Sequence, residues 1–113
     1  MNALSLLKNS PVNNAENLSD LIEYEDNQVV SMALSNSEHT QISLFSFSNG
    51  EMVSEESYLG DTLYQLLDGE TNVTMDDKVI SLKTGDVLAV AADTYHAIGG
   101  GQAFKMMQIT INK

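Results

Sequence analysis

Few side chains in this sequence can move a proton near neutral pH or hold a cation. Among 113 residues there are two histidines and no cysteine, which excludes thiolate catalysis, disulfides and thiolate-ligated metal sites. His39 lies in the polar stretch Ser35-Asn-Ser-Glu-His39 and is assigned no role. His96, Glu56 and Tyr58 together offer one metal-free chemistry. The imidazole is the base, the phenol supplies a proton to a developing enolate or alkoxide, and the carboxylate orients the imidazole. Each has a plainer reading beside it. His96 serves equally as a hydrogen-bonded structural residue, Glu56 as half of a solvated acidic pair with Glu55, and the Tyr58 and Tyr64 rings as cavity filling.

The elements that must position these groups read as strands. Residues 29–34 and 40–47 are apolar or alternating runs separated by the polar turn at 35–39. Further short runs follow at 52–56, 62–67, 71–75, 78–82, 87–90, 96–98 and 104–111. Turn chemistry falls between them at Asn49-Gly50, Leu59-Gly-Asp61, Asp68-Gly69, Asp76-Asp77, Thr84-Gly-Asp86, Ala92-Asp93 and Gly99-Gly-Gly101. Gly69 and Gly85 are expected where hairpins turn sharply with positive φ. Many short strands at close spacing argue an all-β sandwich or barrel, sealed by pairing of the last strand with the early ones. Residues 1–28 are expected to form an N-terminal arm, loosely ordered over 1–17 and helical for about two turns over 18–24; residues 29–113 form the barrel. Met32, Met75, Met106 and Met107 fall on strands, as adaptable lining or as core.

Two glycine-framed segments organise this barrel: Gly50 to Gly69, enclosing Glu56, Tyr58 and Thr62, and Gly85 to Gly100, enclosing Ala91, Asp93 and His96. In spacing they resemble the two motifs of the cupins, specifically the small single-domain, RmlC-like cupins. Leu66-Leu-Asp-Gly-Glu70, Leu82-Lys-Thr-Gly-Asp-Val-Leu88 and Phe104-Lys-Met106 extend the similarity over residues 29–111. The resemblance implies a double-stranded β-helix, or jelly-roll barrel, with three histidines and a glutamate converging on one divalent ion. Here Glu56 and Tyr58 stand at the first two histidine positions, Thr62 at the glutamate position, and only His96 is retained. His96 and Glu56 are thus the candidate ligands for manganese, iron, nickel or zinc, Tyr58 could contribute only as a phenol or phenolate, and neutral Thr62 is a poor donor. Gln65 could turn an amide oxygen inward, although strand parity opposes its sharing a face with Thr62.

Sixteen acidic residues against five lysines, with no arginine, set a formal charge of −11. Such a chain repels phosphate backbones and anionic lipid, so neither nucleic acid nor a membrane is an expected partner. The acidity favours a neutral or cationic ligand, or simply keeps the surface solvated. The start of the chain has no basic or extended apolar leader, so a cytoplasmic protein is expected. The sequence therefore predicts a homodimeric cupin whose pocket, drawn from Glu56, Tyr58, Thr62, Tyr64, Gln65, His96 and Met106, binds a small neutral or weakly polar organic molecule without robust catalysis. The competing expectation is an isomerase or metal-dependent oxygenase acting through Glu56, Tyr58 and His96. The metal-free sugar epimerases of the superfamily pair a histidine base with a tyrosine acid, but the basic residues that hold their nucleotide are almost wholly lacking here.

Overall fold

The structure, a computed structural model, describes residues 4–113; the first three residues of the expected arm lie outside it. Eight strands follow one short 3-10 turn at Leu18–Leu21: β1 (Val29–Asn36), β2 (Thr40–Phe47), β3 (Met52–Glu56), β4 (Asp61–Met75), β5 (Lys78–Lys83), β6 (Val87–Val90), β7 (His96–Gly99) and β8 (Phe104–Ile111). The helix expected over 18–24 shrinks to that single turn. No side chain caps it, and Ile22 already has extended dihedrals. So short a segment has too few internal hydrogen bonds to persist as a helix without docking.

All pairings are antiparallel, and the strands form two sheets. One runs β1-β2-β8-β4-β6 and the other β3-β7-β4-β5. Strand β4 belongs to both, which corrects the expectation of two strands separated by a turn at Asp68-Gly69. Its first part pairs with β8 and β6, its second with β5 and β7, and the register slips between Leu66 and Asp68. A bulge of this kind bends a strand so that it can pass from one sheet to the next. Gly69 sits at the bend with φ +83, and a Cβ there would meet the Ala103 carbonyl oxygen at 2.5 Å. Glycine is required at this point by both conformation and space. By contrast, Asp76 and Asp77 make the tight β4–β5 turn with φ values of 48 and 63, the all-positive geometry that matches the twist of a hairpin.

Alternation on each strand divides the side chains between two clusters. Facing inward, Phe47, Tyr64, Leu66, Val73, Leu82, Val90, Ile98, Phe104 and Met106 fill the barrel, with the Phe47 and Phe104 rings stacked at 4.4 Å between centroids. On the outer face of the first sheet, Ile22 packs with Leu34 and Leu44, joined by Leu67 and Met107. The N-terminal segment is tied down there by polar contacts as well: Lys105 Nζ donates to the Ser19 carbonyl at 2.7 Å, Ser46 Oγ to that of Glu23 at 2.7 Å, and the Lys8 amide to that of Leu34 at 2.8 Å. No helix among the described residues is long and apolar enough to cross a membrane.

Candidate functional site

Between the two sheets lies a cavity of about 270 Å³, with room for roughly nine water molecules at ~30 Å³ each. Phe45 and Phe47 of β2, Val53 of β3, Ile98 of β7 and Met106 of β8 form its apolar walls. Into it project Glu56, Tyr58, Tyr64, His96 and Gln108. A larger cleft of about 550 Å³ lies on the surface between β4, β5 and the loop at Gly101-Gln102. It opens to solvent and has no histidine or tyrosine, whereas the barrel cavity sets a few convergent polar groups on a buried apolar wall, the usual form of a small-molecule site.

Local backbone irregularity brings the polar groups together. The β3–β7 register slips between Val53 and Glu56, and the slip places Glu56 directly opposite His96. Tyr58 follows in the β3–β4 connection, where its carbonyl accepts from the Asp93 amide at 2.8 Å. Tyr64 points inward from β4 by the same alternation that buries Thr62 and Leu66.

Two hydrogen-bonded pairs result. Tyr58 Oη donates to Glu56 Oε2 at 2.6 Å. Tyr64 Oη meets His96 Nε2 at 2.7 Å, and His96 Nδ1 meets the Thr94 carbonyl oxygen at 2.9 Å. A carbonyl oxygen only accepts, so Nδ1 carries the proton. In the neutral ring Nε2 is then the acceptor, and Tyr64 donates to it. His96 is 3% exposed and Tyr64 2%, so this bond is shielded from water. Burial pushes the Tyr64 phenol well above its ordinary pKa, reinforced by the neighbouring Tyr58 phenol and Glu56 carboxylate. The Tyr58 phenol is raised too, first by burial and then by its bond to Glu56, with a smaller opposing effect from Gln108. Both tyrosines are therefore neutral donors across the ordinary pH range.

Of the residues proposed from sequence, the cavity gathers Glu56, Tyr58, Tyr64, His96 and Met106. It does not gather Thr62 or Gln65. Thr62 Oγ1 is spent on Thr110 Oγ1 at 3.1 Å, within the barrel but off the cavity wall. Gln65 pairs with Met107, which packs in the outer cluster, so parity turns Gln65 to the outside. Sequence reasoning omitted Phe45, Phe47, Val53, Ile98 and Gln108. The period-2 series Phe104, Met106, Gln108 on β8 carried the signal for Gln108, because residues two apart share a face.

No family model matches the sequence, and no curated protein matches it. Among solved structures it is similar to a cupin superfamily protein from Desulfitobacterium hafniense, at 53% identity over 96% of this chain and 100% of that one, with a TM-score of 0.93. This chain belongs to the cupin superfamily. A cupin 2 conserved barrel domain protein from Leptotrichia buccalis is 30% identical over 86% of this chain and 47% of that one, with a TM-score of 0.82. A conserved protein of unknown function from Streptococcus pyogenes shares the fold at a TM-score of 0.92, with 24% identity over 99% of this chain and 98% of that one.

The cupin fold raises the question of a metal, and this donor set does not fit a tightly held resident divalent ion. His96 Nε2, the nitrogen that faces the cavity, takes the Tyr64 hydroxyl, and the Glu56 carboxylate takes that of Tyr58. His39 is remote, on the surface beside Glu38. Among the described residues no group of three or more histidine, aspartate, glutamate or cysteine side chains could hold an ion. Two protein ligands, each already hydrogen-bonded, fall short of the three or four that hold a transition metal in most protein sites.

Proposed function

We propose that this cupin binds a small organic molecule without negative charge in the barrel cavity, and that it does so without robust catalysis. The observation that carries this reading is the cavity itself: apolar walls beside two pre-paired polar dyads, Tyr64–His96 buried within it and Tyr58–Glu56 at its rim. Polar groups that are already satisfied do not need a ligand to be stable, and they give an incoming molecule orientation rather than chemistry. Anions are disfavoured because the only charged group on the cavity wall is a carboxylate and no lysine lines it.

The competing reading, proton transfer by an isomerase, draws support from one feature. His96 Nε2 holds its lone pair on the cavity wall, capped by the Tyr64 hydroxyl, with the tautomer fixed by the Thr94 carbonyl. A ligand that displaced the Tyr64 hydroxyl would meet that lone pair. The two readings separate experimentally. Native mass spectrometry of gently purified protein, followed by a fragment screen by ligand-observed NMR, should reveal saturable binding that Val53→Phe blocks by filling the cavity. Failure of every fragment to bind, or binding that survives Val53→Phe, would defeat the binding reading. Solvent deuterium entering a bound carbonyl compound, and lost in His96→Asn, would favour the enzyme.

The homodimer expected from sequence belongs to the same proposal. The outer face of the first sheet remains apolar beyond the patch covered by the N-terminal segment, with Leu63 38%, Val87 58% and Ile111 59% exposed. A second copy of the chain would cover it.

A further inference from the structure

Hydrogen-bond bookkeeping at the cavity wall narrows the ligand class. Glu56 is a carboxylate, and it receives the Tyr58 proton. His96 Nδ1–H is spent on Thr94, and Tyr64 spends its proton on Nε2. Both phenolic protons are thus consumed inside the protein, and the Tyr58 oxygen also has the Gln108 and Tyr64 side chains as hydrogen-bond partners, so the acceptor capacity that remains lies mainly on the Glu56 carboxylate and the Tyr64 oxygen. The only other polar side chain on the wall, Gln108, has its amide nitrogen 3.5 Å from Thr110 Oγ1 and also hydrogen-bonds Tyr58, so its donors are directed at the protein. The cavity therefore offers acceptors and little to donate.

Aromatic faces reinforce this bias. Phe45, Phe47, Tyr58, Tyr64 and His96 all border the same 270 Å³ space, with the Tyr58 and Tyr64 rings 6.0 and 5.7 Å from the His96 ring. Ring faces are electronegative and attract a cation that has lost part of its water. One carboxylate at the rim supplies the counter-charge, and the −11 formal charge of the chain raises the local concentration of cations.

We infer that the cavity's ligand is a compact alkylammonium ion: a protonated amine whose N–H points to the Glu56 and Tyr64 oxygens while its alkyl groups lie against the aromatic rings. This rests on the barrel cavity being the ligand site. It narrows a molecule without negative charge to one with a positive charge.

The test uses two probes of nearly the same shape, protonated N,N-dimethylethanolamine and neutral 3-methylbutan-1-ol. Each is titrated calorimetrically into the full chain at pH 7 and low salt, alongside an uncharged fragment set. The expected result is that the amine binds more tightly than the alcohol by on the order of tenfold, and that Glu56→Gln weakens the amine much more than the alcohol, removing most of that preference. Glu56 is an exposed rim residue, so the variant should fold; a circular dichroism melt close to the wild type confirms it. Equal or tighter binding of the alcohol would overturn the cation inference and leave the binding reading intact. The same holds if neither probe binds while uncharged fragments do. If nothing binds at all, both readings fall together.

Discussion

Tyr64 donates its hydroxyl to the buried Nε2 of His96 at 2.7 Å. It stands two positions beyond Thr62, shares its face of β4, and takes up His96 where Thr62 bonds instead to Thr110. Removing its hydroxyl strands a buried nitrogen lone pair, so Tyr64→Phe should cost about 1–3 kcal/mol of stability, measured by urea denaturation. In the wild type, long-range ¹⁵N NMR should find His96 protonated on Nδ1, and the opposite tautomer would break the assignment of donors in the cavity. The tyrosines also predict a loss of stability at alkaline pH. Tyr24, Tyr58 and Tyr64 are all raised, chiefly by burial and also by the carboxylates they bond, Asp68 for Tyr24 and Glu56 for Tyr58. A group whose pKa is higher in the fold than in the unfolded chain stabilises fully below the unfolded value, about 10 for tyrosine, and loses that contribution as the pH rises above it. Urea midpoints should therefore be level between pH 7 and 9 and fall beyond pH 10. The fall should be shallower in Tyr58→Phe/Tyr64→Phe.

At the scale of elements, β4 is the hinge of the architecture. Its bulge lets the first part present Tyr64 to the cavity from one sheet while the second part closes the other sheet through β5 and β7. Gly69→Ala must place a Cβ at φ +83 against the Ala103 carbonyl, and should lower stability by about 1–3 kcal/mol. The N-terminal segment is equally part of the fold, despite its minimal helix. Ile22 is 4% exposed against Leu34 and Leu44. Ile22→Ala should cost ~2–4 kcal/mol in chemical denaturation, whereas a segment lying loosely on the sheet would give a change near zero. Lys105, buried beneath Tyr24 with its ammonium 4.9 Å from that ring, fastens the same segment from the opposite side of β8 to Met106 of the cavity wall.

For the whole molecule, one sheet carries apolar side chains on both faces. The inner face builds the barrel; the outer face is covered by the N-terminal segment over Leu44 and Met107 but not over Leu63, Val87 and Ile111. Dimerisation through this face predicts that Leu63→Lys shifts the mass seen by light scattering from dimer to monomer while leaving the melting temperature of the monomer's fold largely intact. A wild-type chain that is monomeric at tens of micromolar would remove the dimer from the proposal. The strong negative charge acts at this scale too, favouring cations over anions at long range.

The strand count to within one division, the family resemblance and the two glycine-framed segments that shape the barrel can be read from the sequence alone. Period-2 alternation and turn chemistry are local properties, legible along the chain. The sequence also proposed Glu56, Tyr58, Thr62, Tyr64, Gln65, His96 and Met106 for the pocket, from motif position or strand parity, and the cavity gathers all of these but Thr62 and Gln65. Which groups touch is set by contacts between distant strands. The bulge that makes β4 one strand rather than two, the slip that sets Glu56 against His96, and the pairing of Tyr64 with His96 all depend on register between strands distant in sequence. A one-residue shift in register changes which side chains face one another, and no local signal in this chain specifies it.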